Sequence, residues 1–187
     1  MGTVRRSEER NKMINEHLFT SEKDDWTTPD DLFQTLHAEF RFDLDPCADD
    51  MNYKCDTYIT KEENGLLQDW GGYRVFCNPP YGKEVAKWVK KAHDEVLYGN
   101  CLIAVLLLAS WTDTRYFHQY ILNDAYEIRF VKGRLKFGGA KQSTQFGSMI
   151  VIFKKEGVFD ESKTDLQNVQ AHRICGCRTN VRRETIH

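Results

Sequence analysis

The run Leu102-Ile103-Ala104-Val105-Leu106-Leu107-Leu108 is apolar at every position. A half-buried strand alternates and a surface helix shows a stripe, so an unbroken run of this length predicts a strand covered on both faces of a parallel sheet. Just upstream, residues 84–98 place Val85, Trp88, Val89, Ala92 and Val96 on one face, the spacing of an amphipathic helix. Before that helix, 73–77 is a second strand (Val75, Phe76, Cys77), stopped by Asn78-Pro79-Pro80-Tyr81-Gly82. Strand, helix and strand in this order make a crossover unit and predict an α/β fold. Downstream, 114–123 reads as helix, 125–130 as strand, and 149–153 as a further strand after a glycine-rich loop. Toward the N-terminus, Leu32, Phe33, Leu36 and Phe40 give 31–40 a helical period, with Pro29 as its start signal. Residues 42–46 then alternate as a short strand ending on a carboxylate, and 49–60, rich in Asp, Asn, Tyr and Lys, reads as loop. In such sheets ligands bind at the carboxyl ends of the strands. Both Asp45-Pro46-Cys47-Ala48 and Asn78-Pro79-Pro80-Tyr81 are expected there.

The bulk properties set limits. The chain has 187 residues, enough for one domain with tails, and its 41% hydrophobic and 29% charged content is that of an ordinary globular protein. The organisation expected is a polar N-terminal arm (1–24), one catalytic domain (25–156) and a polar, basic C-terminal tail (157–187). A formal net charge of −2 excludes bulk positive charge as a means of holding nucleic acid, so any such site must come from local clustering. The apolar run 102–109 is too short to span a membrane. Arg5, Arg6, Glu8, Glu9 and Arg10 leave no apolar signal-peptide core. A cytoplasmic protein is expected, with its six cysteines as reduced thiols and no obligate protein partner. His172, Cys175 and Cys177 supply only three metal-type side chains without the usual zinc spacing, so no metal is expected.

The chemistry concentrates in Asn78-Pro79-Pro80-Tyr81. Two prolines after a strand end the sheet and fix the backbone, because each lacks an N–H and locks φ. An aromatic amine is a poor nucleophile, since its lone pair is delocalised into the ring. The Asn78 side-chain oxygen and the Pro79 carbonyl can accept its two hydrogens, aim the lone pair and stabilise the charge that develops. Tyr81 can stack on an extruded base. An amide is no general base, so the proton must leave later, through water. The alternative reading of the tetrapeptide is a rigid turn with a buried tyrosine.

A second cluster is basic. Gly133-Arg134-Leu135-Lys136-Phe137-Gly138-Gly139, with Lys132 and Lys141, is the densest cationic segment of the central region. Arg134, Lys136 and Lys141 suit phosphates, and Phe146 in the next loop suits the second face of a base pocket. Trp111-Thr112-Asp113-Thr114 follows the buried strand at the same edge, as site lining or as a helix cap.

Taken in order, Asp25-Trp26-Thr27-Thr28-Pro29, Phe42-Asp43-Leu44-Asp45-Pro46-Cys47-Ala48, Asn64-Gly65-Leu66, Asp69-Trp70, Cys77-Asn78-Pro79-Pro80-Tyr81-Gly82, Trp88 and Gly133–Gly139 resemble the phage-type DNA N-6-adenine methyltransferase family over roughly residues 24–153. The resemblance implies a compact Rossmann-like methyltransferase fold, S-adenosylmethionine as donor and adenine in DNA as acceptor. It implies Asn78, Pro79, Pro80 and Tyr81 as the catalytic element. It implies Asp45, Pro46, Cys47 and Ala48 as the cofactor loop, with Asp45 toward the cofactor ammonium. Trp26, Thr28 and Pro29 would cover the cofactor, Glu62 or Glu63 would hold its ribose, and Asp69 and Trp70 would meet its adenine. Two departures stand out: Asn64 replaces an acid typical of the family, and the Gly-x-Gly form common in broader methyltransferases is missing. Cytosine N4, RNA adenine and protein glutamine are the rival acceptors, and a nucleic-acid-binding module with a decayed cofactor site is the rival outside catalysis. At this length no separate target-recognition domain is expected, so sequence reading would fall to loops 47–63 and 133–148 or to the tails.

Overall fold

The computed structural model describes residues 27–99, 101–138 and 143–155. Its elements are α1 (Asp30–Phe40), β1 (Leu44–Ala48), β2 (Thr57–Thr60), β3 (Arg74–Cys77), α2 (Val85–Leu97), β4 (Ile103–Ala109), a π-helical turn (Phe117–Ile121) running into α3 (Leu122–Asp124), β5 (Glu127–Phe130) and β6 (Ser148–Lys154). The six strands form one sheet in the order β2-β1-β3-β4-β6-β5. β2, β1, β3 and β4 pair in parallel, while β6 runs antiparallel to β4 and β5 on either side of it.

The apolar run behaves as its composition requires. All of β4 is buried, and its alternate residues serve two cores. Ala104, Leu106 and Leu108 join Met149, Val151 and Phe153 of β6 beneath Trp88, Val89, Ala92 and Val96 of α2. Ile103, Val105 and Leu107 join Ile150 and Ile152 beneath Leu32, Phe33, Leu36 and Phe40 of α1. Helices therefore cover both faces. Each such leucine or valine contributes about 1.5–3 kcal/mol on burial, which explains why the centre of the sheet tolerates no polar position. α1 ends at Arg41 in the left-handed region (φ 53°). Asp43 then opens the β1–β3 seam: its N–H donates to the Arg74 carbonyl (2.9 Å), and its carboxylate accepts the Arg74 N–H (2.7 Å).

Two local expectations need correction. The strand expected over 42–46 lies two residues further on, so Asp45, Pro46, Cys47 and Ala48 belong to β1 itself and not to a loop after it. Its pairing with β2 shifts register between Asp45 and Ala48. Pro46, which has no N–H to give the ladder, sits in that irregularity, as proline in a strand does. The second correction is β2. Thr57-Tyr58-Ile59-Thr60 is an edge strand within the segment expected to be loop. Its β-branched residues carry the β preference, and β1 supplies the partner that the local composition could not reveal. The helix expected over 114–123 is present over 115–124, with the π-helical turn at its centre and Phe117 and Ile121 buried.

The strand order reverses at β1 and β3: β2 lies to one side of this pair, and β4, β6 and β5 lie to the other. Loops leaving the carboxyl ends of β1 and β3 diverge to opposite sides, and the crevice between them is where an open α/β sheet binds its ligand.

Candidate active site

That crevice holds a cleft of about 560 Å³. Pro46, Cys47 and Ala48 from β1 form one wall, and Asn78, Pro79 and Pro80 from the turn after β3 form another. Thr60, Lys61, Asn64, Gly65 and Leu66 close it from the β2 side, and Glu84 and Trp88 from α2. Gly65 makes the closest approach: a Cβ there would fall 2.1 Å from the Pro46 carbonyl oxygen and 3.0 Å from the Trp88 ring. The loop can lie directly on β1 only because residue 65 has no side chain. Asn64 holds a left-handed backbone (φ 57°), and its side-chain oxygen accepts the Leu66 N–H at 3.2 Å. The close backbone approach at this cleft comes from a single glycine in the loop after β2. The Asn-Gly dipeptide is the signal by which sequence could have located it.

Two residues support these walls from behind. Trp70 is fully buried, donates its indole N–H to the Gly65 carbonyl at 3.0 Å and stacks at 6.3 Å on Trp88. Asp45 is 4% exposed, and its carboxylate accepts the N–H of Cys47 and the N–H of Lys54, each at 3.2 Å. Burial pushes its carboxyl up to about 6 against the opposing pull of these two donors. The Lys54 ammonium in turn pairs with Asp30 at 2.6 Å, which ties the loop after β1 to the start of α1.

The residue that follows the Asn78-Pro79-Pro80 turn belongs to an aromatic cluster. Tyr81 packs against Phe146 with ring centroids 5.3 Å apart and edge-on against Phe137 at 6.0 Å. Trp111 meets Phe146 at 5.6 Å. The Tyr81 hydroxyl is buried, and desolvation raises its pKa well above the ordinary phenol range. Tyr81 therefore stays protonated at neutral pH. The hairpin between β5 and β6 is held by Thr144, whose N–H donates to the Leu135 carbonyl (3.0 Å) and whose hydroxyl donates to the Phe146 carbonyl (2.8 Å). The Gly138 N–H reaches the Thr27 carbonyl at 3.0 Å, so this hairpin also holds the segment that leads into α1.

The family model described as DNA N-6-adenine-methyltransferase (Dam) matches residues 15–174. The chain belongs to that family. A DNA N-6-adenine-methyltransferase of Haemophilus phage HP1 is 28% identical over 159 residues, which cover 81% of this chain and 91% of the relative. One from Escherichia phage T1 is 30% identical over 159 residues, 72% of this chain and 65% of that relative.

The residues marked out in the sequence take different places around the cleft. Pro46, Cys47, Ala48, Asn78, Pro79 and Pro80 all line the cleft, and Tyr81 and Phe146 meet beside it. Asp45 and Trp70 do not line it but lie behind its walls; Asp69 is exposed and accepts the Gly71 N–H of its own turn at 2.9 Å. Glu63, next to Asn64, accepts the Thr60 N–H (2.8 Å) and hydroxyl (3.0 Å), which hold its carboxyl below the usual range. Thr28 is buried, Pro29 precedes the first turn of α1, and Arg134 and Lys136 are exposed on the β5–β6 hairpin. Trp26, Lys141 and the His172, Cys175 and Cys177 group lie outside the described residues. Among the described residues no helix is long and apolar enough to cross a membrane.

Proposed function

We propose that this chain transfers a methyl group from S-adenosylmethionine to N6 of adenine in DNA, with residues 25–156 as a catalytic domain of Rossmann-like methyltransferase type. Family membership supports the reaction. The parallel strands, the switch point at β1 and β3 and the helices on both faces support the fold reading. One observation carries the assignment of the site. Residues 78–80 wall the cleft, and the next residue, Tyr81, lies against Phe146, so a single turn joins a small-molecule cleft to an aromatic cluster.

The cleft suits the cofactor. Its volume falls within the roughly 300–1,000 Å³ of small-molecule sites, and its floor is cradled by a glycine that a Cβ would displace. When bound, S-adenosylmethionine supplies a methyl group made electrophilic by its sulfonium. Pro46, Cys47, Ala48, Asn64, Gly65, Leu66 and Asn78 are the proposed contacts. Asp45, Asp69 and Trp70 are positioning residues for them. The resemblance alone supports Trp26, Thr28 and Pro29 as a cover and Glu63 at the ribose.

The chain's own groups perform the remaining steps. The Asn78 side-chain oxygen and the Pro79 carbonyl accept the two N6 hydrogens, which turns the nitrogen lone pair toward the cleft. As the new C–N bond formed and the donor's methyl–sulfur bond broke, leaving a neutral thioether, the amine would gain positive charge, and these two acceptors would bind it more tightly than the neutral amine. Tyr81 and Phe146 hold the extruded base. In the structure their rings touch, so admission of a base requires that they part. The proton then leaves N6 to water, because no base faces it from residues 78–81. The test is incubation with labelled S-adenosylmethionine and unmethylated DNA, followed by nucleoside analysis. N6-methyladenine is the expected product; N4-methylcytosine, or label found only in RNA or protein, overturns the assignment.

A further inference from the structure

We propose that the DNA-contact surface extends well beyond the β5–β6 hairpin and includes Lys83 and Arg115, so that the duplex backbone lies across the loops after β3, β4 and β5 and stays off the cofactor half of the same edge. This inference rests on the DNA-methylating reading above. Its starting point is how the loops are joined. Tyr81 follows β3, Trp111 follows β4 and Phe146 belongs to the β5–β6 hairpin, yet the rings of Tyr81 and Trp111 both meet that of Phe146, at 5.3 and 5.6 Å. Three loops separated in sequence are thereby drawn around one point. Lys83 stands two residues after Tyr81, and Arg115 four residues after Trp111. Lys132, Arg134 and Lys136 stand on the hairpin, where Arg134 donates to the Thr144 carbonyl at 3.4 Å. All five cations are exposed.

Ion pairing separates these cations from others. Lys87, Lys90 and Lys91 on α2 are paired with Glu84, Asp94 and Glu95, and Arg129 of β5 with Glu39 and Glu127. Lys83, Arg115, Lys132, Arg134 and Lys136 form no ion pair among the described residues. A cation already neutralised by a carboxylate has little to gain from a phosphate, whereas an exposed unneutralised one releases counterions from DNA when it binds. The other half of the edge is acidic on balance: Asp49 and Asp50 follow β1, and Lys61, Glu62 and Glu63 follow β2, all exposed. Acidic loops repel the DNA backbone and leave the cleft mouth open to a cationic cofactor. With a chain charge of −2, this division is a local field and not a bulk one.

The test is DNA affinity over a salt series for the full chain and for Lys83→Gln, Arg115→Gln, the double variant and Lys90→Gln. Each phosphate contact contributes about 0.9 to the slope of log affinity against log salt. The single variants are expected to lower the slope by about one and the double variant by about two, equally on all DNA sequences. Lys90→Gln is expected to keep the parent slope. A double variant with the parent's slope overturns the inference while the parent's methylation of DNA leaves the proposed function standing. A parent that neither binds nor methylates DNA overturns both. Because both side chains are exposed, thermal unfolding at the parent temperature is the expected check that the variants fold.

Discussion

The two halves of the sheet's carboxyl edge are built differently. On the β1–β2 side the cleft is made by close backbone approach: Gly65 lies on the Pro46 carbonyl, Trp70 braces Gly65, and Asp45 draws in two N–H groups. On the β3–β5 side the surface is made of side chains: Tyr81 and Trp111 both meet Phe146, and exposed cations stand nearby in the chain. On the function proposed above, the two constructions correspond to two unlike ligands at one edge. Rigid backbone suits a cofactor that recurs unchanged, while rings and long cationic side chains suit a polymer whose base must be admitted and released. Asn78 stands where the halves meet, so its loss should produce the largest effect. Asn78→Ala is expected to lower kcat on DNA by a hundredfold or more, about 3 kcal/mol, as for other donors or acceptors that act on developing charge. Cofactor affinity, read by calorimetry, should change little, and near-parent turnover by the folded variant would break the division of labour.

The cofactor half can be probed through Asp45. Its carboxyl titrates near 3.9 in an unfolded chain and at about 6 in the folded one, because burial disfavours the charged form. Below about pH 4 the group is protonated in both states and costs nothing. As pH rises toward 6 the unfolded chain ionises first, so stability falls, by at most about 3 kcal/mol for a shift of about two pKa units. Asp45→Asn should remove that fall: denaturant unfolding at pH 4.5 and 7 should show a smaller difference in the variant than in the parent. An identical difference would mean that Asp45 ionises freely and does not brace the cleft.

Two substitutions of similar, smaller size sharpen the contrast. Gly65→Ala forces a Cβ into the Pro46 carbonyl and is expected to cost about 1–3 kcal/mol of stability, with weaker S-adenosylmethionine binding and an unchanged DNA salt slope. Phe146→Ala should leave the cofactor alone and cost roughly 1–3 kcal/mol in DNA affinity, the worth of one stacked base. A mismatched target base, which is cheaper to extrude, should restore part of that loss. If Gly65→Ala altered DNA binding as strongly as cofactor binding, the two halves would be one site.

Much of this was legible because burial leaves a periodic trace. The all-apolar run at 102–108 announced β4, and the five apolar residues of one face announced α2. Asn78-Pro79-Pro80 marked a strand end because two prolines cannot continue a ladder. The edge strand β2 and the register of β1 were less visible: an edge strand has little apolar signature, and a proline inside a strand reads locally as a stop.

Local patterns in the chain specify the alternation of strands and helices, the double burial of β4, the rigid turn after β3 and, through the order of the motifs, the family. Packing of the whole sheet puts Asp45 and Trp70 behind the cleft and not in it, lays Gly65 on β1, and brings Tyr81 to Phe146 from a distant part of the chain. The physical reason is one of range. Periodicity and composition encode how each residue meets its nearest neighbours and which face it buries. The partner across a sheet edge is set by strand order, and strand order is fixed only when the whole sheet has packed.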